Sequence, residues 1–158
     1  SLQVMLRFLI PSIPDPLLSV LLLGKVNRAK ELHINLEIDE SSKLDALPEE
    51  MDKGKFITIL GNLIENAFDA VSHKKDRSIL VFLSDGGDHI LIEVEDSGDG
   101  IPEGEQERIF QKFYSTKAAN HRGLGLFLVK EAVNALNGQI KADKSDLGGA
   151  LFTVVIPK

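Results

Sequence analysis

One long amphipathic helix pattern, at residues 52–72, constrains the fold of this chain more than any other stretch. At 100° per residue its apolar side chains share one face, which predicts a helix packed on a core; they are Phe56, Leu60, Leu63, Ile64, Ala67 and Val71. The opposite face carries Asn62, Asn66 and Asp69 at i, i+4 and i+7. Asn and Asp form helices less well than the Glu, Lys, Gln and Arg that usually fill a solvated face, so this stripe suggests a binding site as an alternative to solvent exposure. Taken alone, the stripe favours solvent exposure, and the motifs further along the chain reverse that preference.

Shorter patterns predict the elements around this helix. A short helix at 1–10 and a Pro-rich link at 10–16 precede a helix at 17–31, a strand at 33–38 and a polar loop at 40–50. Strands at 78–84 and 89–95 flank a hairpin turn, a short helix follows at 103–110, a further helix runs from 123 to a cap at 137–138, and strands at 139–143 and 150–156 end the pattern. This order predicts an α+β fold, a two-layer sandwich in which a mixed sheet carries its helices on one face.

Composition excludes several classes of function. The 158 residues suffice for one domain with a hydrophobic core, and the net charge of −6 argues against a nucleic-acid-binding surface. The absence of Cys excludes disulfides, thiolate zinc sites and thiol nucleophiles. The most apolar stretch, residues 4–23, is interrupted by Arg7, Asp15 and three prolines, so no membrane-spanning helix is predicted.

A carboxylate follows the apolar side of the predicted strand at 89–95. Ile90, Ile92 and Val94 point to one side, and the same alternation continued by two residues reaches Asp96. A carboxylate aimed at the interior requires a partner, because burying it unpaired is costly. The residues leave two interpretations open: Asp96 caps the turn that follows, or it accepts a hydrogen bond from a ligand that Gly98 and Gly100 allow to approach the backbone.

A glycine-rich helix start follows a basic segment. Glycines at a helix N-terminus expose N–H groups to an anion, as residues 123–126 (Gly-Leu-Gly-Leu) would do, although a lone Gly-x-Gly is more often a tight turn. The segment at 111–122 holds no acid and carries Lys112, Lys117 and Arg122 beside the hydroxyls of Ser115 and Thr116. The alternatives are a mobile lid over phosphates and ordinary surface charge.

Together these motifs resemble those of a known family. The order Asn62-x-x-x-Asn66-Ala67-x-Asp69, Asp96-x-Gly98-x-Gly100, Phe110-x-x-Phe113 and Gly123-x-Gly125-Leu126 resembles the N box, first glycine box, F box and second glycine box of the ATP-binding domain of sensor histidine kinases, over residues 32–157. Residues 113–117 and 122–126 look most like those of the bacterial citrate- and C4-dicarboxylate-sensing kinases. The resemblance implies the Bergerat ATP-binding fold.

The resemblance also implies ATP and Mg²⁺ as ligands, with a role for each box. Asp96 would accept the adenine amino group, and Asn66 would bind Mg²⁺ between Asn62 and Asp69. The implied catalytic residues are Asn62, Asn66 and Lys117. The implied nucleotide contacts are Asn62, Asn66, Asp69, Asp96, Gly98, Gly100, Ile101, Phe113, Lys117, Arg122, Gly123, Leu124, Gly125 and Leu126; among them Ile101 and Leu126 would line the base pocket.

Two departures from the family pattern shape the functional hypothesis. His121 stands where the second glycine box usually begins with a glycine, which leaves its role in the lid open. None of the four histidines lies in a helix with a following acid or Asn, so none is predicted to be the phosphoacceptor. Residues 1–31 are therefore predicted to be a remnant of the dimerisation-region helix and linker, and 32–158 the ATP-binding catalytic domain.

The hypothesis is a catalytic domain that gives the γ-phosphoryl of ATP to a His outside this chain. The expected partners are the His-bearing dimerisation domain of the same protein and the receiver domain of a response regulator. The expected parent is a homodimeric inner-membrane sensor with this domain on the cytoplasmic side.

Three alternatives remain open from the residues. An ATP hydrolase of the same superfamily would carry a Glu where this chain has Asn62. An anti-sigma-type serine kinase would lack a His-bearing dimerisation helix. A non-catalytic nucleotide-sensing module would bind nucleotide without any phosphoryl transfer.

Overall fold

A mixed five-stranded sheet with helices on its buried face forms the architecture. The computed structural model describes residues 7, 9, 12–45, 47–114 and 123–158. The elements in chain order are α1 (Pro16–Glu31), β1 (Asn35–Ile38), α2 (Lys53–Val71), β2 (Ser78–Asp85), β3 (His89–Asp96), a 3₁₀ turn (Arg108–Phe110), α3 (Gly125–Ala135), β4 (Gln139–Lys144) and β5 (Ala150–Pro157). The predicted α+β two-layer sandwich is confirmed.

The strand order in the sheet is β1-β2-β3-β5-β4. β1 pairs with β2 in parallel, whereas β2–β3, β3–β5 and β4–β5 are antiparallel. Alternate residues of the three central strands are buried, as expected for a sheet with one face on a core. The register places Asp96, the last residue of β3, opposite Ile79 at the start of β2, so this carboxylate lies at one end of the sheet.

Helix α2 is the centre of the helical layer. All six apolar residues predicted for its buried face are buried, and Ile59 and Phe68 widen that face. The wider face is consistent with contacts on several sides, since α2 packs against the sheet, α1 and α3. The opposite stripe of Asn62, Asn66 and Asp69 is half-buried, so it is not the fully solvated face that the stripe alone favours.

The strand predicted at 33–38 begins later, at Asn35, because the first residues of that range end the preceding helix. His33 has a φ of 57°, its N–H donates to the Lys30 carbonyl at 3.2 Å, and the Ile34 N–H donates to the Ala29 carbonyl at 2.8 Å. This is the Schellman pattern with His33 in the position that glycine usually takes. The placement of His33 in a strand was therefore wrong.

The helix predicted at 103–110 is reduced to the 3₁₀ turn at Arg108–Phe110. Gly104 has a φ of 82°, which a right-handed helix cannot include, and the Glu105 N–H closes a turn onto the Pro102 carbonyl at 3.0 Å. The other predicted helices and strands are present within one or two residues of their expected ends. The short helix predicted at 1–10 lies largely outside the described residues.

Helix α1 shares the hydrophobic core of the sheet and α2 through buried side chains on one face: Leu18, Leu22, Val26 and Ala29. The assignment of residues 1–31 to a dimerisation-region remnant stays a prediction. Among the described residues, no helix combines the length and apolar character needed to cross a bilayer.

Candidate functional site

Asp96 is the buried carboxylate at the centre of the candidate site. Its residue is 1% exposed, in line with the inward direction predicted from strand alternation. Its Oδ1 accepts the Gly98 N–H at 2.9 Å and the Ala150 N–H at 3.2 Å. Burial raises the pKa of the Asp96 carboxyl above its ordinary value, although these two N–H donors oppose the rise. No cation pairs with Asp96 in the described part of the chain.

The second oxygen of this carboxylate, Oδ2, makes no hydrogen bond within the described part of the chain. No fully buried side-chain oxygen or nitrogen there lacks a partner, so Oδ2 retains access to the space outside the core. Asp96 therefore combines one oxygen fixed by the backbone with one that can accept a hydrogen from a ligand.

Two glycines place the turn after β3 close to its neighbours. A Cβ on Gly98 would lie 2.6 Å from the carbonyl oxygen of Ala70 on α2. Gly100 has a φ of 80° and faces the backbone of Gly149, with 3.6 Å between its added Cβ and the Gly149 oxygen. Gly98 and Gly100 thus accommodate neighbouring protein backbone, and the approach of a ligand to these glycines stays a prediction.

Gly149 is a site residue that the sequence analysis missed. Its N–H donates to the Asp96 carbonyl at 3.0 Å, and an added Cβ would overlap Oδ1 of Asp96 and come within 2.5 Å of the Gly98 nitrogen. The Gly-Gly pair at 148–149 predicts only a turn between strands. Nothing local in the sequence indicates that the turn closes on Asp96.

Asn62, on the polar stripe of α2, lies next to the start of α3. Asn62 donates from Nδ2 to the Thr58 carbonyl at 2.8 Å, and its Oδ1 lies 3.6 Å from where a Cβ on Gly125 would stand. The Asn66 side chain makes no hydrogen bond within the described part of the chain, so its amide oxygen is open to a ligand. Asp69 lies about one turn further along the same face. The structure thus brings Asn62 of the N box to the second glycine box.

Leu124, at the N-cap position of α3, makes no side-chain hydrogen bond that caps the helix. The first N–H groups of a helix have no intrahelical acceptor and attract an anion. Leu126 packs partly buried against the core, as does Ile101 after the first glycine box. The assignment of these two residues to the base pocket stays a prediction.

Phe113 lies near the start of the segment at 111–122 that is predicted to be the lid, and Gly123 directly follows that segment. Phe113 has a φ of 66°, is 67% exposed and donates its N–H to the Gly123 carbonyl at 3.1 Å. The ammonium of Lys112 lies 5.4 Å from the centroid of the Phe113 ring and 5.7 Å from that of Phe127. Gly123 has a φ of 71°, and a Cβ there would overlap the Tyr114 carbonyl. Lys117, Arg122 and His121 lie outside the described residues.

The turn after β3 is also tied to the end of α2 by charge. Asp99 Oδ2 lies 2.7 Å from Nε2 of His73, and its Oδ1 lies 3.0 Å from Nζ of Lys74. The hydrogen bonds from Lys74 and then His73 lower the pKa of the Asp99 carboxyl. His73 is not predicted to be the phosphoacceptor, and the sequence around it gives no sign that it contacts Asp99.

Comparison with known proteins identifies the family. Residues 51–158, more than half of the chain, match the family of histidine kinase-, DNA gyrase B- and HSP90-like ATPases. The chain is 44% identical over 158 residues to the sensor protein CitS of Halalkalibacterium halodurans, across 99% of this chain and 29% of that protein. It is 41% identical over 142 residues to the sensor histidine kinase DpiB of Escherichia coli, across 87% of this chain and 26% of that protein.

Solved structures agree with this assignment. Full-length ShkA in complex with AMPPNP superposes with a TM-score of 0.74 at 28% identity, covering 93% of this chain and 30% of that one. The catalytic domain of the histidine kinase ThkA, at 24% identity, gives 0.73 over 93% of both chains and shows the same fold. This chain spans less than a third of the length of the curated relatives above. It belongs to the histidine kinase-, DNA gyrase B- and HSP90-like ATPase family, as an ATP-binding catalytic domain of the sensor histidine kinase type.

Proposed function

We propose that this domain binds Mg·ATP and gives the γ-phosphoryl group to a His outside this chain. The observation that carries the proposal is the buried Asp96 carboxylate, whose Oδ1 is held by backbone N–H groups while Oδ2 stays open. A buried carboxylate without a cation is costly, and a ligand N–H offsets that cost when it binds.

Adenine supplies the matching donor. Its exocyclic amino group donates a hydrogen bond, whereas guanine presents a carbonyl oxygen at the corresponding position. An ionised Asp96 accepts from the first and repels the second. Selectivity for ATP over GTP follows from the direction of this one hydrogen bond.

The phosphates of ATP would lie between α2 and the N-terminus of α3. The first N–H groups of α3 would provide the anion-binding end, and Asn62 lies next to it on α2. The described residues contain no cluster of three His, Cys, Asp or Glu side chains that could enclose a metal. Mg²⁺ in nucleotide sites is commonly held by one or two protein oxygens together with phosphate oxygens, so the open Asn66 amide fits that ion. When bound, Mg²⁺ would neutralise charge on the phosphates.

The chain's own residues would act by positioning and charge. Asp96 fixes the base, the α3 N–H groups orient the phosphates, and Asn62 and Asn66 hold the far side of the triphosphate. Lys117 and Arg122 are proposed to add positive charge near the γ-phosphoryl, on the strength of the family resemblance.

The wider setting is part of the same proposal. The relatives are named sensor proteins and sensor histidine kinases, which supports a His-bearing dimerisation domain and a response regulator as partners. It also supports a parent protein that is a homodimeric inner-membrane sensor with this domain on the cytoplasmic side. The ShkA structure in complex with AMPPNP supports an ATP-like ligand for the fold.

Two measurements test the proposal. Calorimetry with Mg·ATP and Mg·GTP should show binding of ATP only, and Asp96→Asn should weaken ATP binding tenfold or more, about the worth of a hydrogen bond to a charged acceptor. The domain mixed with the His-bearing region of its parent protein should transfer label from γ-³²P-ATP to that region. Equal affinity for ATP and GTP would refute the adenine assignment, and ATP binding without transfer would favour a nucleotide-sensing module.

A further inference from the structure

We infer that Asp99, held by His73 and Lys74, is a positioning residue that keeps Asp96 in its adenine-accepting orientation. This inference rests on the proposed function, because it concerns how the adenine-binding carboxylate is aimed. Asp99 itself lies on the surface and does not contact Asp96 through its side chain.

Both oxygens of the Asp99 carboxylate take part in this contact. His73 Nε2 lies 2.7 Å from Oδ2 and Lys74 Nζ lies 3.0 Å from Oδ1, and both partners directly follow the end of α2. The side chains of His73, Lys74 and Asp99 are 43%, 35% and 60% exposed, so solvent screens the pairing and little global stability follows from it. The contact therefore matters for the position of the turn after β3 and not for the global stability of the fold.

That turn carries a donor that orients Asp96. Gly98, next to Asp99, donates its N–H to Asp96 Oδ1 at 2.9 Å. Gly98 packs closely against the last turn of α2, since a Cβ added to it would lie 2.6 Å from the Ala70 carbonyl oxygen. The neighbouring Ser97 is tied to Asp76 and Ser78, which lie outside α2: its Oγ donates to the Asp76 carbonyl at 2.8 Å and accepts the Ser78 N–H at 2.9 Å. We therefore expect that releasing Asp99 lets the turn shift away from α2 and displaces the Gly98 N–H.

The other side of the turn cannot compensate for this loss. Gly100 faces Gly149, whose neighbour Ala150 donates the second hydrogen bond to Asp96 Oδ1 at 3.2 Å. That bond is the longer of the two and comes from a different part of the chain. With the Gly98 donor displaced, the carboxylate has more rotational freedom, and ordering it on binding costs affinity.

The experiment measures Mg·ADP affinity by calorimetry, since ADP avoids turnover. Asp99→Ala should weaken binding about two- to fivefold, the range expected for an exposed ion pair, and Asp99→Glu should recover part of the loss. In an Asp96→Asn background, Asp99→Ala should cause no further loss, because the group that it orients no longer accepts in the same way. A contact that is merely structural would weaken binding equally in both backgrounds.

Glu31→Ala is the matched control, because it also removes an exposed ion pair. In that pair, on α1, Oε2 of Glu31 lies 3.1 Å from Nη1 of Arg28. It should leave ADP affinity unchanged. Wild-type affinity in Asp99→Ala, or equal losses with and without Asp96→Asn, would overturn the inference. Wild-type affinity in Asp96→Asn itself would instead refute the proposed function.

Discussion

At the scale of single residues, Asp96 has opposite effects on folding and on binding. Its burial disfavours the ionised form that adenine requires, and this raises the pKa of the carboxyl. Ionising Asp96 therefore costs more free energy in the folded protein than in the unfolded chain. A hydrogen bond from the bound base offsets that cost. A site residue of this kind stabilises the complex at the expense of the free domain.

The first prediction concerns the pH dependence of that cost. The folded-state pKa of Asp96 lies above its ordinary value of 3.8, so the folded state keeps this proton to higher pH than the unfolded state. The contribution of Asp96 to stability therefore falls as pH rises from 3.8 through the folded pKa. Asp96→Asn removes this titration and keeps an oxygen for the N–H groups of Gly98 and Ala150. The stability of Asp96→Asn relative to wild type should therefore increase with pH over that window. Urea unfolding of both proteins at several pH values above 4 measures it, and a difference independent of pH would contradict it.

A second residue-scale prediction concerns Gly149. Gly149→Ala should destabilise the domain by about 1–3 kcal/mol, because the methyl group overlaps Asp96 Oδ1 and crowds the Gly98 nitrogen. It should also weaken ATP binding. Gly148→Ala is the matched control: Gly148 has a φ of 107° and nothing within 4 Å of an added Cβ, so this variant should lose stability through backbone strain but keep its affinity. Equal ATP affinity in both variants would show that the turn does not support the site.

These two residues also mark what a sequence can reveal about the site. Strand alternation predicts the burial of Asp96, because the pattern is local and has a period of two. The contact of Gly149 with Asp96 joins residues far apart in the chain, and that of His73 with Asp99 depends on how α2 meets β3. A local pattern carries no information on such contacts.

At the scale of elements, one buried side chain joins the starts of two helices. Asp15 is 5% exposed and caps α1, accepting the N–H groups of Leu17 at 2.9 Å and Leu18 at 3.3 Å. Its Oδ2 lies 2.8 Å from Nζ of Lys53, the first residue of α2. The cap therefore also fixes α1 against the helix that carries the candidate site.

The third prediction follows from this junction. Asp15→Ala should cost about 1–2 kcal/mol of unfolding free energy, since it removes a helix cap and leaves Lys53 without its partner. Asp15→Asn keeps a capping oxygen and should cost less. Burial acts to raise the pKa of Asp15, but hydrogen bonds from Lys53, Leu18 and Leu17 outweigh it and the pKa is lowered. The stabilisation should thus be present above 3.8 and lost as pH falls through the folded pKa. Denaturant titrations from pH 3 to 7 test this, and a loss that stays constant with pH would contradict the ion-pair contribution.

Periodicity predicted the existence and order of the elements well, and their ends less well. The buried face of α2 follows from the spacing of its apolar residues, which is a property of the helix itself. The start of β1 was predicted two residues too early because a non-glycine residue, His33, takes the left-handed position that follows α1. The helix expected at 103–110 is interrupted because Gly104 takes a positive φ in a local turn that closes from the Glu105 N–H onto the Pro102 carbonyl, and a glycine at this place in the sequence fits a turn as well as a helix.

At the scale of the whole molecule, the sheet order and the position of α2 bring motifs from four parts of the chain to one end of the fold. β3 places Asp96 next to the turn that follows β4, and α2 places Asn62 next to the start of α3. The motif order alone indicated the family. The direct contacts between motifs, such as that of Asn62 with the start of α3, come only from the packed structure.

The last prediction separates phosphoryl transfer from hydrolysis. In the hydrolytic branch of the superfamily, the residue four before the Mg²⁺-binding Asn is typically a Glu that activates water; here that position is Asn62, whose amide cannot take a proton at neutral pH. The nearby Glu65 is no substitute, because its carboxylate lies 2.6 Å from Nζ of Lys25 on the α1 side of the helix. The purified domain should therefore bind Mg·ATP yet release phosphate very slowly, and it should not label its own histidines.

Phosphate release and incorporation of label from γ-³²P-ATP measure this directly. The Asp96→Asn variant, purified in the same way, is the control for contaminating hydrolases, because activity that it retains at low ATP does not come from this site. Fast release that disappears in Asp96→Asn, or stable label on His33, His73, His89 or His121, would contradict a domain that requires an external His. Slow release without self-labelling, together with transfer to the His-bearing region of the parent protein, is the result expected from an amide at position 62.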